Sequence, residues 1–195
     1  MLKIANVEYL GQFKVNSGLL RVSDPCYDKS IWCTGTIADV KNGTWEAYMK
    51  LDPSGNRVSE LLTFHKDTTA KLIRNDRWDE QNIDIGVESG QCGIFDNSSY
   101  PDGDVGVADE SDSFYGKCRQ ATESDFGGVI DFGTISNSGY GNGSYLCYTM
   151  EDRDGITAVK IVFIEKEDED DDEVEELNYD FDDDNKDYYN YDDDY

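Results

Sequence analysis

Lys41-Asn42-Gly43-Thr44-Trp45-Glu46-Ala47-Tyr48-Met49-Lys50-Leu51 is the stretch from which the rest of the chain can be placed. After Thr44, Trp45, Ala47, Met49 and Leu51 alternate with Glu46, Tyr48 and Lys50. Successive side chains of a strand point to opposite faces, so a period of two describes a half-buried strand of an antiparallel sheet. Asn42-Gly43 stands just before it. Asn-Gly between β-rich runs favours a type I′ turn with positive φ at both central residues, and the expectation is a hairpin joining residues 32–40 to 44–51.

Working outward, the turn Asp52-Pro53-Ser54-Gly55-Asn56 leads into 57–65 (RVSELLTFH), a strand in which Val58, Leu62 and Phe64 share a face while Leu61 breaks the alternation. Upstream, 2–7 and 18–23 read as short strands, the second stopped by Asp24-Pro25. Downstream, 83–87 and 91–95 read as a strand pair around Glu88-Ser89-Gly90. Residues 127–135 and 144–150 are strands joined through the glycine-rich 136–143, and 156–164 is a last strand, placed at a sheet edge, behind the turn Asp152-Arg153-Asp154-Gly155. Residues 67–82 are polar, with Trp78 anchoring a loop or short helix, and 96–112 is loop. The helix signal falls on 111–121 (SDSFYGKCRQA): a Ser or Asp cap, then Phe114, Tyr115 and Cys118 at helical spacing, with Lys117 and Arg119 near its end. Gly116 works against it. The fold class is therefore mainly β, an antiparallel sheet or β-sandwich with one short helix and a disordered acidic C-terminal tail. Nothing resembles the βαβ units that house a dinucleotide.

The chain has 43 acidic residues against 17 Lys and Arg, a net charge of −26. Residues 165–195 contribute 18 of those acids against only Lys166 and Lys186, so −16 sits in the tail and −10 in the β-rich domain 1–164. Blocks of like charge repel and stay solvated, and tyrosines without aliphatic neighbours bury too little apolar area to offset ordering entropy. An acidic body also argues against direct binding to nucleic acid or to an anionic membrane. What distinguishes the tail from a solubilising bristle is its aromatic interleaving, because carboxylates pair with Arg and Lys while aromatic faces attract guanidinium groups. The candidate binding residues are thus the acids Glu167, Asp168, Glu169, Asp170, Asp171, Asp172, Glu173, Glu175, Glu176, Asp180, Asp182, Asp183, Asp184, Asp187, Asp192, Asp193 and Asp194, with the aromatics Tyr179, Phe181, Tyr188, Tyr189, Tyr191 and Tyr195. Extended at about 3.3 Å per residue, the tail carries one carboxylate per roughly 6 Å, sparser than duplex DNA at one charge per roughly 1.7 Å.

No catalytic constellation stands out. His65 is the one histidine, which excludes a His-rich zinc site, and it reads as a structural residue at a strand end. Cys26, Cys33, Cys92, Cys118 and Cys147 are odd in number and irregular in spacing, as expected of small apolar residues in a reducing compartment. Asp102 and Asp104 flank a glycine, but the twelve-residue calcium loop with its closing Glu is absent, and no metal or cofactor is implied. The loop 138–143 lacks the Lys-Ser/Thr ending of a phosphate loop and reads as a tight connection with Tyr140 exposed. Cys92 in Ser89-Gly90-Gln91-Cys92-Gly93 superficially resembles a nucleophile on a sharp turn, but no motif places a base beside it and the strand-turn-helix setting of a nucleophile elbow is missing. No apolar run reaches the length of a signal peptide core or a membrane span, so a soluble, cytoplasmic protein is expected.

Ser89-Gly90-Gln91-Cys92-Gly93-Ile94-Phe95-Asp96 and Ser138-Gly139-Tyr140-Gly141-Asn142-Gly143-Ser144-Tyr145, closed by a valine-rich strand, resemble an uncharacterised domain-of-unknown-function family of bacteria and their phages over roughly residues 17–163. The resemblance implies a β-rich scaffold and carries no catalytic residues. Charge and composition together suggest an acidic interaction protein, of phage host-takeover or anti-defence type, whose partner is a basic, nucleic-acid-binding protein. The rivals are a replication accessory that docks proteins through its acidic tail, and an enzyme of unknown chemistry with a solubilising tail.

Overall fold

The alternating stretch around Trp45 forms β4 (Gly43–Leu51), with Trp45, Ala47 and Met49 buried. In the computed structural model, which describes residues 6–68 and 78–165, β4 lies between β1 (Val7–Val15) and β5 (Val58–His65). β11 (Gly155–Val162), β10 (Gly143–Asp152) and β6 (Asp79–Val87) complete a six-stranded antiparallel sheet in the order β1-β4-β5-β11-β10-β6. A five-stranded antiparallel sheet takes β3 (Gly35–Ile37), β2 (Leu20–Ser23), β7 (Gln91–Asp96), β9 (Gly133–Asn137) and β8 (Gly127–Ile130) in that order.

The sheets pack as a sandwich. One core is shared between them: Phe13, Trp45, Met49, Leu61 and Ile161 from the larger sheet meet Leu20, Val22 and Ile94 from the smaller. Complete burial of side chains this size stabilises the fold by about 1.5–3 kcal/mol each. The single helix among the described residues, α1 (Phe114–Glu123), covers the outer face of the five-stranded sheet, where Cys118, Phe114 and Ala121 pack with Phe95, Tyr100 and Ile135. β5 is apolar on both faces: Leu61 enters the shared core, while Leu62 and Phe64 pack with Met150 and Ala158 on the outer face of the larger sheet. That double burial is why Leu61 breaks a one-faced alternation.

The helix begins later than its sequence signal. Ser113 is the N-cap (φ −70, ψ 161), its hydroxyl accepting the Gly116 N–H at 3.0 Å. Gly116 belongs there for a steric reason, since a Cβ on it would lie 1.9 Å from the Glu110 carbonyl oxygen. The loop that leads into the helix is pressed against its first turn.

Several expected pairings are overturned. Asn42-Gly43 makes no hairpin: β3 pairs with β2 and β4 with β1 and β5, so this dipeptide carries the chain from one sheet to the other. Asn42 is not among the residues with positive φ, as a type I′ turn would need. Its side-chain carbonyl accepts the Gly18 N–H at 2.7 Å, and glycine follows because a Cβ at 43 (φ +139) would meet His65 Nε2 at 2.5 Å. Glu88-Ser89-Gly90 likewise joins strands of different sheets, β6 paired with β10 and β7 with β2 and β9. The single strand expected over 127–135 is the hairpin β8–β9, and 32–40 yields only the short β3. β11 is an interior strand between β5 and β10 rather than an edge. Of the strand expected at 2–7, only Asn6 and Val7 are described, and Val7 opens the longer β1, whose apolar phase is shifted by a bulge between Tyr9 and Gly11. Strand β6 reaches back to Asp79, into the expected loop.

Candidate functional site

Two short crossovers between the sheets meet at one end of the sandwich. Ser89-Gly90 carries the chain from β6 to β7, and 138–142 carries it from β9 to β10. The Ser138 N–H donates to the Gly90 carbonyl at 3.0 Å. The Tyr145 hydroxyl reaches back to the carbonyls of Ser138 (2.9 Å) and Gly141 (2.6 Å), which holds the glycine-rich turn shut. Tyr140 at its tip is exposed, with Arg57 4.9 Å over its ring. The two glycine motifs are therefore neighbours in space.

Asp24, at the end of β2, fastens this region from below. It is fully buried, and each carboxylate oxygen has two donors. Oδ1 accepts from Cys26 N–H (2.8 Å) and the Ser89 hydroxyl (2.7 Å); Oδ2 accepts from the backbone N–H groups of Glu88 (2.8 Å) and Ser89 (2.7 Å). A buried polar side chain answered this fully is not left with unmet hydrogen bonds, and it fixes the groups around it. The Tyr100 hydroxyl donates to the Tyr27 carbonyl at 2.7 Å and pins the following loop.

Between this turn and α1 lies a cleft of about 200 Å³, lined by Ser89, Gly90, Gln91, Asn137 and, from the helix, Tyr115, Arg119, Thr122 and Glu123. Tyr115, Arg119 and Thr122 are spaced one turn apart and so share a helix face. Gln91 forms the floor. Its amide nitrogen donates to Thr122 Oγ1, while its Oε1 is buried without a hydrogen-bond partner.

The thiols nearby are poor nucleophiles. Burial, then the hydrogen bond to Asp24, pushes the Cys26 thiol up to about 12; burial puts Cys147 at about 12 and raises Cys92 and Cys118 well above the ordinary thiol value. Cys92 is not on a turn: it is the second residue of β7, paired with Ser136 of β9, and lies wholly within the sandwich core. His65 is buried at the end of β5, with Nε2 3.1 Å from the Asn42 carbonyl. Asp102 and Asp104 are exposed in the loop before α1, where Asp104 accepts the Gly106 N–H in a local turn. No helix among the described residues is long and apolar enough to cross a membrane.

The candidate binding residues between Glu167 and Tyr195, and with them the expectation of a disordered tail, lie outside the described residues. What the structure brings together instead, Asp24 with Ser89 and Gln91 with Thr122 and Arg119, is scattered over a hundred positions. Asp24-Pro25 reads in sequence only as the end of a strand. The one available signal was that the Ser-Gly turn is too short for a flexible loop. No protein-family model matches the chain, and comparison with curated proteins and with solved structures gives no match.

Proposed function

We propose that this protein is an acidic interaction protein that occupies the nucleic-acid-binding surface of a basic partner, in the manner of an inhibitor. The observation that carries this reading is how the body displays its charge. The loop before α1 exposes Asp102, Asp104, Asp109, Glu110 and Asp112, and Glu123, Asp125 and Asp131 are exposed beyond it. Ion pairs among the described residues engage other acids: Lys41 with Asp152 and Asp154, Lys50 with Glu60, and His65 with Asp67. The exposed carboxylates of these loops are left for an external cation, and the tail adds −16 to the −10 of the body. High thiol pKa values and a buried histidine favour binding over nucleophilic chemistry.

Capture of basic proteins from a bacterial lysate tests the reading, with the full chain and a chain ending at Glu165 compared at low and high salt. A nucleic-acid-binding protein should be retained at low salt, released as salt rises, and displaced by oligonucleotide. The purified protein should give no gel shift with oligonucleotide alone. Recovery of the same partners in the same amounts by the truncated chain would remove the tail from the mechanism.

A further inference from the structure

We infer that the outer face of the five-stranded sheet, at its β2–β3 edge, holds a binding site for a small carboxylate, with Arg21 as the cation. Leu20 and Val22 enter the shared core, so Arg21 between them projects from the outer face. Register sets Thr36 of β3 and Phe95 of β7 directly opposite it. Arg21 is 8 % exposed, yet none of the ion pairs among the described residues involves it. Its contacts are neutral. Nε donates to Asn97 Oδ1 at 3.4 Å, and Nη1 donates to Thr34 Oγ1, whose own proton goes to the Ile31 carbonyl at 2.9 Å. The guanidinium carbon lies 5.7 Å from the centre of the Tyr100 ring. Nη2 is left with two N–H groups and no acceptor among the described residues. It is not sealed in, because Gln91 Oε1 is the one buried side-chain oxygen or nitrogen without a partner among those residues. A sunken guanidinium is ordinarily paired with a carboxylate; here the one nitrogen without an acceptor is the one that solvent reaches.

The neighbours decide which anion fits. Directly opposite residues of an antiparallel pair have Cβ atoms about 5 Å apart on one face, so the Thr36 side chain stands beside Arg21. Thr36 is exposed, and its hydroxyl has no partner among the described residues. Asn97 turns its oxygen to Arg21 Nε and keeps its NH₂ free. The site therefore offers one positive charge with neutral donors next to it. A carboxylate matches that set, one oxygen on Nη2 and the other for Thr36 or Asn97. A phosphate dianion would bring a second negative charge, which no residue here answers, into a body of net charge −10. A free organic acid and an acidic side chain of a peptide present the same group, and the experiment separates them.

The test is NMR of the full chain as sodium acetate replaces sodium chloride up to about 50 mM, following the Arg21 Nε–H signal and the backbone amides of Thr36 and Asn97. Acetate should bind with Kd below about 10 mM and move all three signals along one isotherm. Acetamide, which has the shape without the charge, should move none of them, and inorganic phosphate should bind at least about threefold more weakly than acetate. T36V, at an exposed position, should keep the parent melting temperature and weaken acetate binding by about threefold. R21K should weaken it by about tenfold; if R21K does not fold, T36V and the parent signals still decide. N-acetyl-aspartyl amide binding within about threefold of acetate assigns the site to a peptide side chain, and weaker binding than that assigns it to a free acid. No response at Arg21 as acetate replaces chloride, meaning that water alone serves Nη2, overturns the inference. So does acetate binding that T36V and R21K leave unchanged, or phosphate that binds as tightly as acetate.

Discussion

Ser89 gives both of its donors, the backbone N–H and the hydroxyl, to the carboxylate of Asp24, at 2.7 Å each. Through that one side chain the end of β2 is tied to the crossover from β6 to β7, and so the two sheets are tied to each other. Asp24→Asn keeps the shape but turns an NH₂ towards N–H donors. It should cost about 2–4 kcal/mol, read as a lower urea midpoint with an unchanged slope. Ser89→Ala, which removes one donor of four, should cost about 1 kcal/mol. A midpoint for Asp24→Asn indistinguishable from the parent would mean the contact is ornamental.

At the other end of the β2–β7 pair, Asp96 plays the corresponding part for the β1–β2 crossover. Its carboxylate accepts from the N–H groups of Asn16 and Ser17 and from Ser98 N–H and hydroxyl. Burial acts to raise its pKa, but these donors outweigh it and the net shift is downward. The native state then binds fewer protons than the unfolded one, so stability rises with pH across this titration. The contribution is complete above the ordinary carboxylate value of about 4 and is lost as pH falls through the lowered native value. Asp28 and Asp52 are lowered too, by Ser30 and Ser54 first, and persist in an Asp96→Asn variant. Subtracting that variant's stability curve, measured between about pH 2 and 6, from the parent's should leave a slope confined to the acid side. A flat difference would refute the assignment.

Replacing glycine by alanine inside a helix ordinarily gains up to about 1 kcal/mol. Gly116→Ala should do the opposite. Its Cβ would stand 1.9 Å from the oxygen and 2.7 Å from the carbon of the Glu110 carbonyl, both backbone atoms that cannot swing aside. A loss of about 2 kcal/mol or more is expected, with the loop before α1 exchanging its amide hydrogens faster. Lys117→Ala, exposed on the next position, serves as the control and should change stability by less than about 0.5 kcal/mol.

Local pattern made the strands and the helix legible, and long-range pairing was what it could not supply. Alternation around Trp45, the turn at 52–56 and the turn at 152–155 all describe neighbours in one sheet, and those hairpins stand as read. Asn42-Gly43 and Glu88-Ser89-Gly90 carry equally good turn chemistry, yet each crosses between sheets, because a turn fixes direction over a few residues and says nothing of which strand receives the next one. Leu61 held the clue to a strand buried on both faces. The cleft was unreadable because its members come from β7, β9 and α1, joined only by the packing of the helix on the smaller sheet.

Cys26 is partly exposed, yet its thiol is pushed up to about 12 by burial first and by Asp24 next. Alkylation needs the thiolate, which an ordinary cysteine with a pKa of about 8.5 supplies in the mildly alkaline range. The Cys26 rate should therefore keep rising with pH to about 10 without a plateau. In Asp24→Asn that still folds, its midpoint should move down. Cys92, Cys118 and Cys147 should stay unmodified until denaturant is added, as peptide mapping by mass spectrometry would show.

Trp32 is 83 % exposed, an unusual position for the largest apolar side chain. It rides on a loop fixed by Asp28, whose carboxylate accepts the Ser30 N–H at 2.6 Å, and anchored to β6 where the Gly86 N–H donates to the Cys33 carbonyl at 2.9 Å. β6 exposes Asp84 to solvent, and Glu88 is exposed just beyond its end. An exposed tryptophan on an acidic body suits an arginine-rich surface, where cation–π attraction and ion pairing can act on the same guanidinium. If the body as well as the tail engages a basic partner, Trp32→Ala should leave the unfolding midpoint within about 0.5 kcal/mol of the parent and weaken partner binding by about 2 kcal/mol. Binding unchanged by Trp32→Ala but abolished by truncation at Glu165 would assign the contact to the tail alone.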